Sequence, residues 1–136
     1  MARAVTEENI KIANQLGIEF QLEEYKLGKW GNADFFYKKD YLLVLLEVEK
    51  GQKHPNTNVI KLWPYLEDNP ELKVLLIQII RDENKAPKNR LALCKYFGKR
   101  MEQEFPDRFR FVHRRWHRDL VNEIKEQVIN KMKELS

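Results

Sequence analysis

Two apolar runs, residues 41–46 and 74–80, constrain this chain more than any other feature. The first reads Tyr41-Leu42-Leu43-Val44-Leu45-Leu46, and the second is interrupted only by Gln78. Each has the length of a strand and lacks polar alternation, so each predicts a strand buried on both faces. Both fall far short of the roughly 20 residues a membrane-spanning helix needs, so no membrane association is expected. Between them, Asn56, Thr57 and Asn58 read as capping residues ahead of Val59, Ile60, Leu62 and Trp63. They predict a short helix, kinked or ended near Pro64. A helical crossover joining two buried strands predicts that the strands run parallel.

The flanking segments complete a mixed sheet. Thr6 caps a first helix whose apolar face is Ile10, Ala13 and Leu16, and Gly17 can end it. Residues 18–22 alternate apolar and polar, which predicts a strand with one buried face. A second strand opens at Asp34, turns at Lys38-Lys39-Asp40, and a third runs on through Glu49. Pro87 suits the first turn of a helix reaching about Glu104, in which Gly98 permits close packing. Residues 108–113 alternate as a strand, and Asp119 can cap a last helix striped by Leu120, Ile124, Val128 and Met132. The expected fold is α/β of mixed α+β character, one domain over residues 1–136. Its order is helix, three strands, helix, strand, then a C-terminal helix, strand and helix.

Hydrophobic residues are 43% of the 136 and charged residues 34%, which suits a globular chain and not a disordered one. The single cysteine, Cys94, excludes an internal disulfide and a multi-cysteine zinc site. The N-terminus has no apolar signal core, so a cytoplasmic location is expected. The charge is uneven. Residues 1–50 carry 7 Lys and Arg against 9 Asp and Glu, whereas residues 81–118 carry 12 against 5. Clustered basic charge suits a polyanion partner, because neutralised phosphates release counterions. A solvated face on a charge-rich protein is the other reading. Within the basic segment, Arg114, Arg115 and Arg118 surround His113 and His117, and backbone contact with nucleic acid is the functional reading for them.

The acidic residues concentrate elsewhere. Asp34 opens the second strand, and Glu47 and Glu49 end the third. If these strands form a hairpin, the start of one lies beside the end of the other. Glu47 and Glu49 are two apart and project from one face. Three carboxylates then converge next to a strongly apolar run, where an uncompensated charge is expensive. A cation would explain them, and hard oxygen ligands suit Mg²⁺ or Mn²⁺. Strands also end in charged residues simply as they reach solvent, which is the alternative.

At these residues the chain resembles the restriction-endonuclease-like superfamily, the PD-(D/E)XK nucleases. That family has a helix–three strands–helix–strand core, with an Asp at the start of the second strand and an (Asp/Glu)-x-Lys on the third. Asp34 matches the first motif position and Glu47-Val48-Glu49 the second, over a little more than half of the chain. Glu49 stands at the family's lysine position, as Glu does in some restriction endonucleases. The resemblance implies that Asp34, Glu47 and the carbonyl of Val48 bind Mg²⁺ or Mn²⁺, and that Glu49 orients or deprotonates the attacking water. It also implies that a lysine can arrive from elsewhere, Lys61 being nearest, and that an acidic residue of the first helix, Glu8, can assist. The function so implied is a metal-dependent endonuclease hydrolysing phosphodiester bonds in DNA, of restriction, repair or junction-resolving type, as a homodimer because cutting two strands commonly takes two sites; RNA is the other substrate left open. The alternative is a non-catalytic nucleic-acid-binding or assembly protein that retains the fold.

Gln52, His54 and Asn58 follow the carboxylates directly, and can either position phosphate or water or serve as loop and capping residues. Trp30, Trp63 and Trp116 read as core or interface residues, and Cys94 as a core residue. There is no Gly-rich phosphate loop, serine-nucleophile motif or zinc motif.

Overall fold

The computed structural model describes residues 6–51 and 53–136. Helix α1 (Glu7–Asn14) starts where Thr6 accepts a hydrogen bond from the Asn9 amide at 3.2 Å. It buries Ile12 and Ala13, and Leu16 just beyond it, and the chain turns away at Gly17 with φ +78°. Residues 18–22 do not form the expected strand. A hydrogen bond from the Phe20 amide to the Ile18 carbonyl tightens the segment, leaving a single antiparallel bridge from Gln21 to Phe36. The apolar alternation reflects Ile18 and Phe20 packing on the core, without the ladder that a strand requires. A small ribbon follows, β1 (Tyr25–Lys26) against β2 (Asn32–Ala33).

Among the described residues the main sheet has four strands, in the order β3 (Phe35–Lys39), β4 (Leu42–Glu49), β5 (Lys73–Ile80) and β6 (Phe109–Arg115). β3 and β4 are antiparallel. β4 and β5 run parallel, as the helical crossover predicted, and β6 adds a further parallel strand. The hairpin turn is Asp40-Tyr41, since Lys38 and Lys39, expected in the turn, belong to β3, and Asp40 accepts φ +56°. The crossover is split into α2 (Thr57–Ile60) and α3 (Leu62–Asp68). The break falls at Lys61, ahead of Pro64. A proline ring clashes with the carbonyl four residues back, here Ile60, but is tolerated in a first turn, so α3 continues through Pro64 to Asp68. Asn56 makes no side-chain cap to α2, unlike the expected capping role.

Helix α4 (Lys88–Glu104) follows Pro87, and α5 (Val121–Leu135) follows a 3-10 turn over Arg118–Leu120. That turn is capped by His117, whose Nδ1 accepts from the Asp119 amide at 3.1 Å, so Asp119 is not the cap. Helices α1 and α5 cover one sheet face around Val44, Leu46, Ile77 and Val112. Helices α2, α3 and α4 cover the other around Leu43, Leu45, Leu76 and Phe109. Gly98 sets the depth of α4, since a Cβ there would lie 2.0 Å from the Phe111 ring. No helix among the described residues is long and apolar enough to cross a membrane.

Candidate active site

The hairpin register places the first carboxylate. Phe35 pairs with Leu46, so one further step along both strands sets Asp34 opposite Glu47. Asp34 is 1% exposed, and its Oδ2 accepts the Val48 amide at 2.9 Å. The carbonyl of Val48 faces the same edge of β4, because a strand residue turns its N–H and C=O the same way. Glu47 and Glu49 both lie on the face of Leu43 and Leu45, beneath α2, and both are fully buried.

Burial, then the negative charge of Asp34, holds the Glu47 carboxyl well above the usual carboxylate range. Lys61 acts in the opposite direction and Glu49 adds to the rise. The Lys61 ammonium comes from the junction of α2 and α3 and sits 2.6 Å from Glu47 Oε2. Its other hydrogen bonds go to the Asn32 carbonyl at 2.5 Å and to Asn58 Oδ1 at 2.8 Å. Three acceptors therefore match the three N–H donors of a lysine ammonium. Asn58 also holds Glu49, since its Nδ2 donates to Glu49 Oε1 at 3.0 Å and Oε2 at 2.8 Å.

A second polar row crosses the sheet. Glu47, Gln78 and His113 are in register on β4, β5 and β6. Gln78 Nε2 donates to Glu49 Oε2 and to the Pro55 carbonyl, both at 2.9 Å. Its Oε1 is left to accept, so His113 Nδ1, 2.8 Å away, carries the hydrogen. Burial, Lys95 and Arg115 lower the His113 pKa to about 4, which keeps the imidazole neutral near pH 7. At the end of β4, Asn84 Nδ2 and the Arg81 amide donate to the Glu49 carbonyl at 3.2 and 3.1 Å.

The structure thus brings Asp34, Glu47, Val48, Glu49 and Lys61 together. Glu8 is elsewhere: it pairs with Arg81, which also binds Asn9 Oδ1 at 3.0 Å and Glu83 at 2.5 Å. Gln52 lies outside the described residues. His54 is exposed and contributes its carbonyl to Thr57 Oγ1 at 2.9 Å. The three arginines read as nucleic-acid contacts, Arg114, Arg115 and Arg118, are held in different ways. Arg114 lies on the α5 face, where it bonds Gln127 and Glu123 at 3.0 Å each. Arg115 lies on the carboxylate face, and Arg118 is exposed in the 3-10 turn. Sequence reasoning missed Gln78 as a site residue. Its signal was its place as the one polar residue in the apolar run 74–80.

Among the described residues, no three His, Cys, Asp or Glu side chains form a group that could hold a metal ion as they stand. The donor chemistry nonetheless fits a hard cation: carboxylate oxygens predominate, and one ammonium stands against three carboxyl groups. In comparisons with known proteins, no family model matches the chain, and no curated protein or solved structure matches it.

Proposed function

We propose that the chain is a metal-dependent nuclease with a restriction-endonuclease-like core, acting on DNA as a homodimer. The observation that carries this reading is the convergence of Asp34, Glu47 and Glu49 on one end of a β3–β4 hairpin, with Lys61 among them. A strand ending in solvent would leave such residues exposed, yet all three carboxyl groups are buried. The parallel β4–crossover–β5 unit supports the same core, while the family's first strand is reduced to the Gln21–Phe36 bridge.

In this reading Asp34, Glu47 and the Val48 carbonyl hold Mg²⁺ or Mn²⁺. The bound ion would supply a water of lowered pKa and neutralise charge on the phosphate. Glu49, held by Asn58 and Gln78, orients that water or takes its proton. Lys61 supplies the positive charge that Glu49 does not, from the helix instead of the strand. The alternative, a non-catalytic nucleic-acid-binding protein, is favoured by the same ammonium, which already neutralises Glu47 from within the fold.

The test is incubation of the purified chain with plasmid, branched DNA and RNA, with and without Mg²⁺ or Mn²⁺, beside Asp34→Asn. Metal-dependent cleavage lost in Asp34→Asn is the expected result. Equal cleavage by both proteins would rule the mechanism out. Binding without cleavage under every condition would establish the alternative.

A further inference from the structure

A concavity of about 230 Å³ lies where the ends of β5 and β6 meet α4. Ile80 and Leu91 form its apolar wall, and Lys95, His113, Arg114 and Arg115 its polar one. The Arg114 guanidinium is committed to Glu123 and Gln127. Lys95 and Arg115 are not so committed. Both are exposed, and among the described residues neither forms an ion pair. Arg115 donates to the Arg81 carbonyl at 3.2 Å, which orients its guanidinium without neutralising it. Among the described residues no carboxylate lines the hollow. Two cations that face one hollow repel each other, and an anion between them relieves that repulsion.

The hollow is built into the same polar row as the carboxylates. His113 on its floor bonds Gln78, and Gln78 bonds Glu49. The two sites are separated by two strand spacings, about 10 Å, which is the axial rise of about three nucleotides in one DNA strand. Arg90 extends the basic edge toward the loop after β4, where its Nη1 donates to the Lys53 carbonyl at 2.8 Å.

We infer that this hollow is a phosphate subsite, in which Lys95 and Arg115 hold a nucleic-acid backbone phosphate a few nucleotides from the group seated at Asp34 and Glu47. The inference rests on the nuclease reading for its substrate. Lys95 acts as a point charge, whereas the planar fork of Arg115 can engage two phosphate oxygens at once. His113 brings no charge. It fixes the floor of the hollow and ties that floor to Glu49 through Gln78.

The experiment titrates inorganic phosphate into the full chain in EDTA, followed by NMR, with Lys95→Met/Arg115→Met as the test variant and Lys125→Met/Lys133→Met as the control. The expected result is saturable shifts at Lys95, Arg115 and the His113 ring, lost in the test variant and kept in the control. Shifts that never saturate, or that survive in the test variant, would overturn the subsite. With a short DNA duplex in EDTA, the test variant should bind at least about 10-fold more weakly at low salt, with a salt slope reduced by about 2. An unchanged slope would also overturn the subsite. A wild type that binds phosphate at these residues but never cleaves would uphold the subsite and remove only the nuclease reading.

Discussion

The Lys61 ammonium lies 2.6 Å from Glu47 Oε2 inside the fold, with side chains 13% and 0% exposed. Removing one partner of a buried pair leaves the other uncompensated, which costs about 3–5 kcal/mol. Lys61→Met should therefore destabilise by about that amount, and Glu47→Gln added to it should recover much of the loss. Urea denaturation of the single and double variants measures the coupling. Strictly additive losses would show that the pair contributes nothing to the fold.

Asp34 and Glu47 repel, so relieving that repulsion should not cost stability. Asp34→Asn keeps an oxygen to accept the Val48 amide and removes one negative charge. Its stability should equal or exceed that of the wild type at pH 7. The sign of the pH dependence follows from Glu47. A carboxyl raised in the folded state contributes stability that is fully present below its unfolded value, near 4.5, and is lost as pH rises through the folded value. Asp34→Asn should flatten that loss in denaturation curves measured above pH 4.5.

His113 predicts the opposite limb. Its pKa falls from 6.5 to about 4 on folding, so its contribution is present above 6.5 and is lost as pH falls toward 4. The full span corresponds to about 3 kcal/mol. His113→Asn should lose less stability than the wild type between pH 7 and pH 4.5. Parallel curves for the two proteins would contradict the burial and charge argument.

Gly98 should tolerate no side chain. Alanine is about 1 kcal/mol better than glycine within a helix, yet its Cβ would sit 2.0 Å from the Phe111 ring. Gly98→Ala should destabilise by about 1–3 kcal/mol, because overpacking displaces α4 from β6. Combining it with Phe111→Leu should restore part of the loss in thermal melts.

Glu49 separates structure from chemistry. Glu49→Gln preserves the volume of a fully buried side chain and an oxygen for the Asn58 and Gln78 amides. In the proposed nuclease it should keep most of the stability but lose about 100-fold or more in cleavage rate, the scale of a general base. An undiminished rate would remove Glu49 from the chemistry.

The sequence by itself determined the parallel pair and the hairpin. Runs such as residues 41–46 and 74–80 can be satisfied only by burial on both faces, and the short connection from Tyr37 to Leu42 leaves a tight reversal as its only option. From those two facts the meeting of Asp34 with Glu47 and Glu49 followed, since local periodicity and turn length set the register. The segment 18–22 shows where periodicity fails: alternation reports which side chains face a core, and a ladder also needs a partner edge along its length. The resemblance offered Lys61 as the nearest lysine, but only the tertiary structure decided how the carboxylates are answered. Lys61 reaches Glu47 because α2 breaks ahead of Pro64 directly over β4. Gln78 reaches His113 because β5 and β6 pair in that register. Those contacts depend on how helices pack across strands far apart in the chain, and that packing arises from the summed fit of both cores, which the spacing of individual residues does not encode.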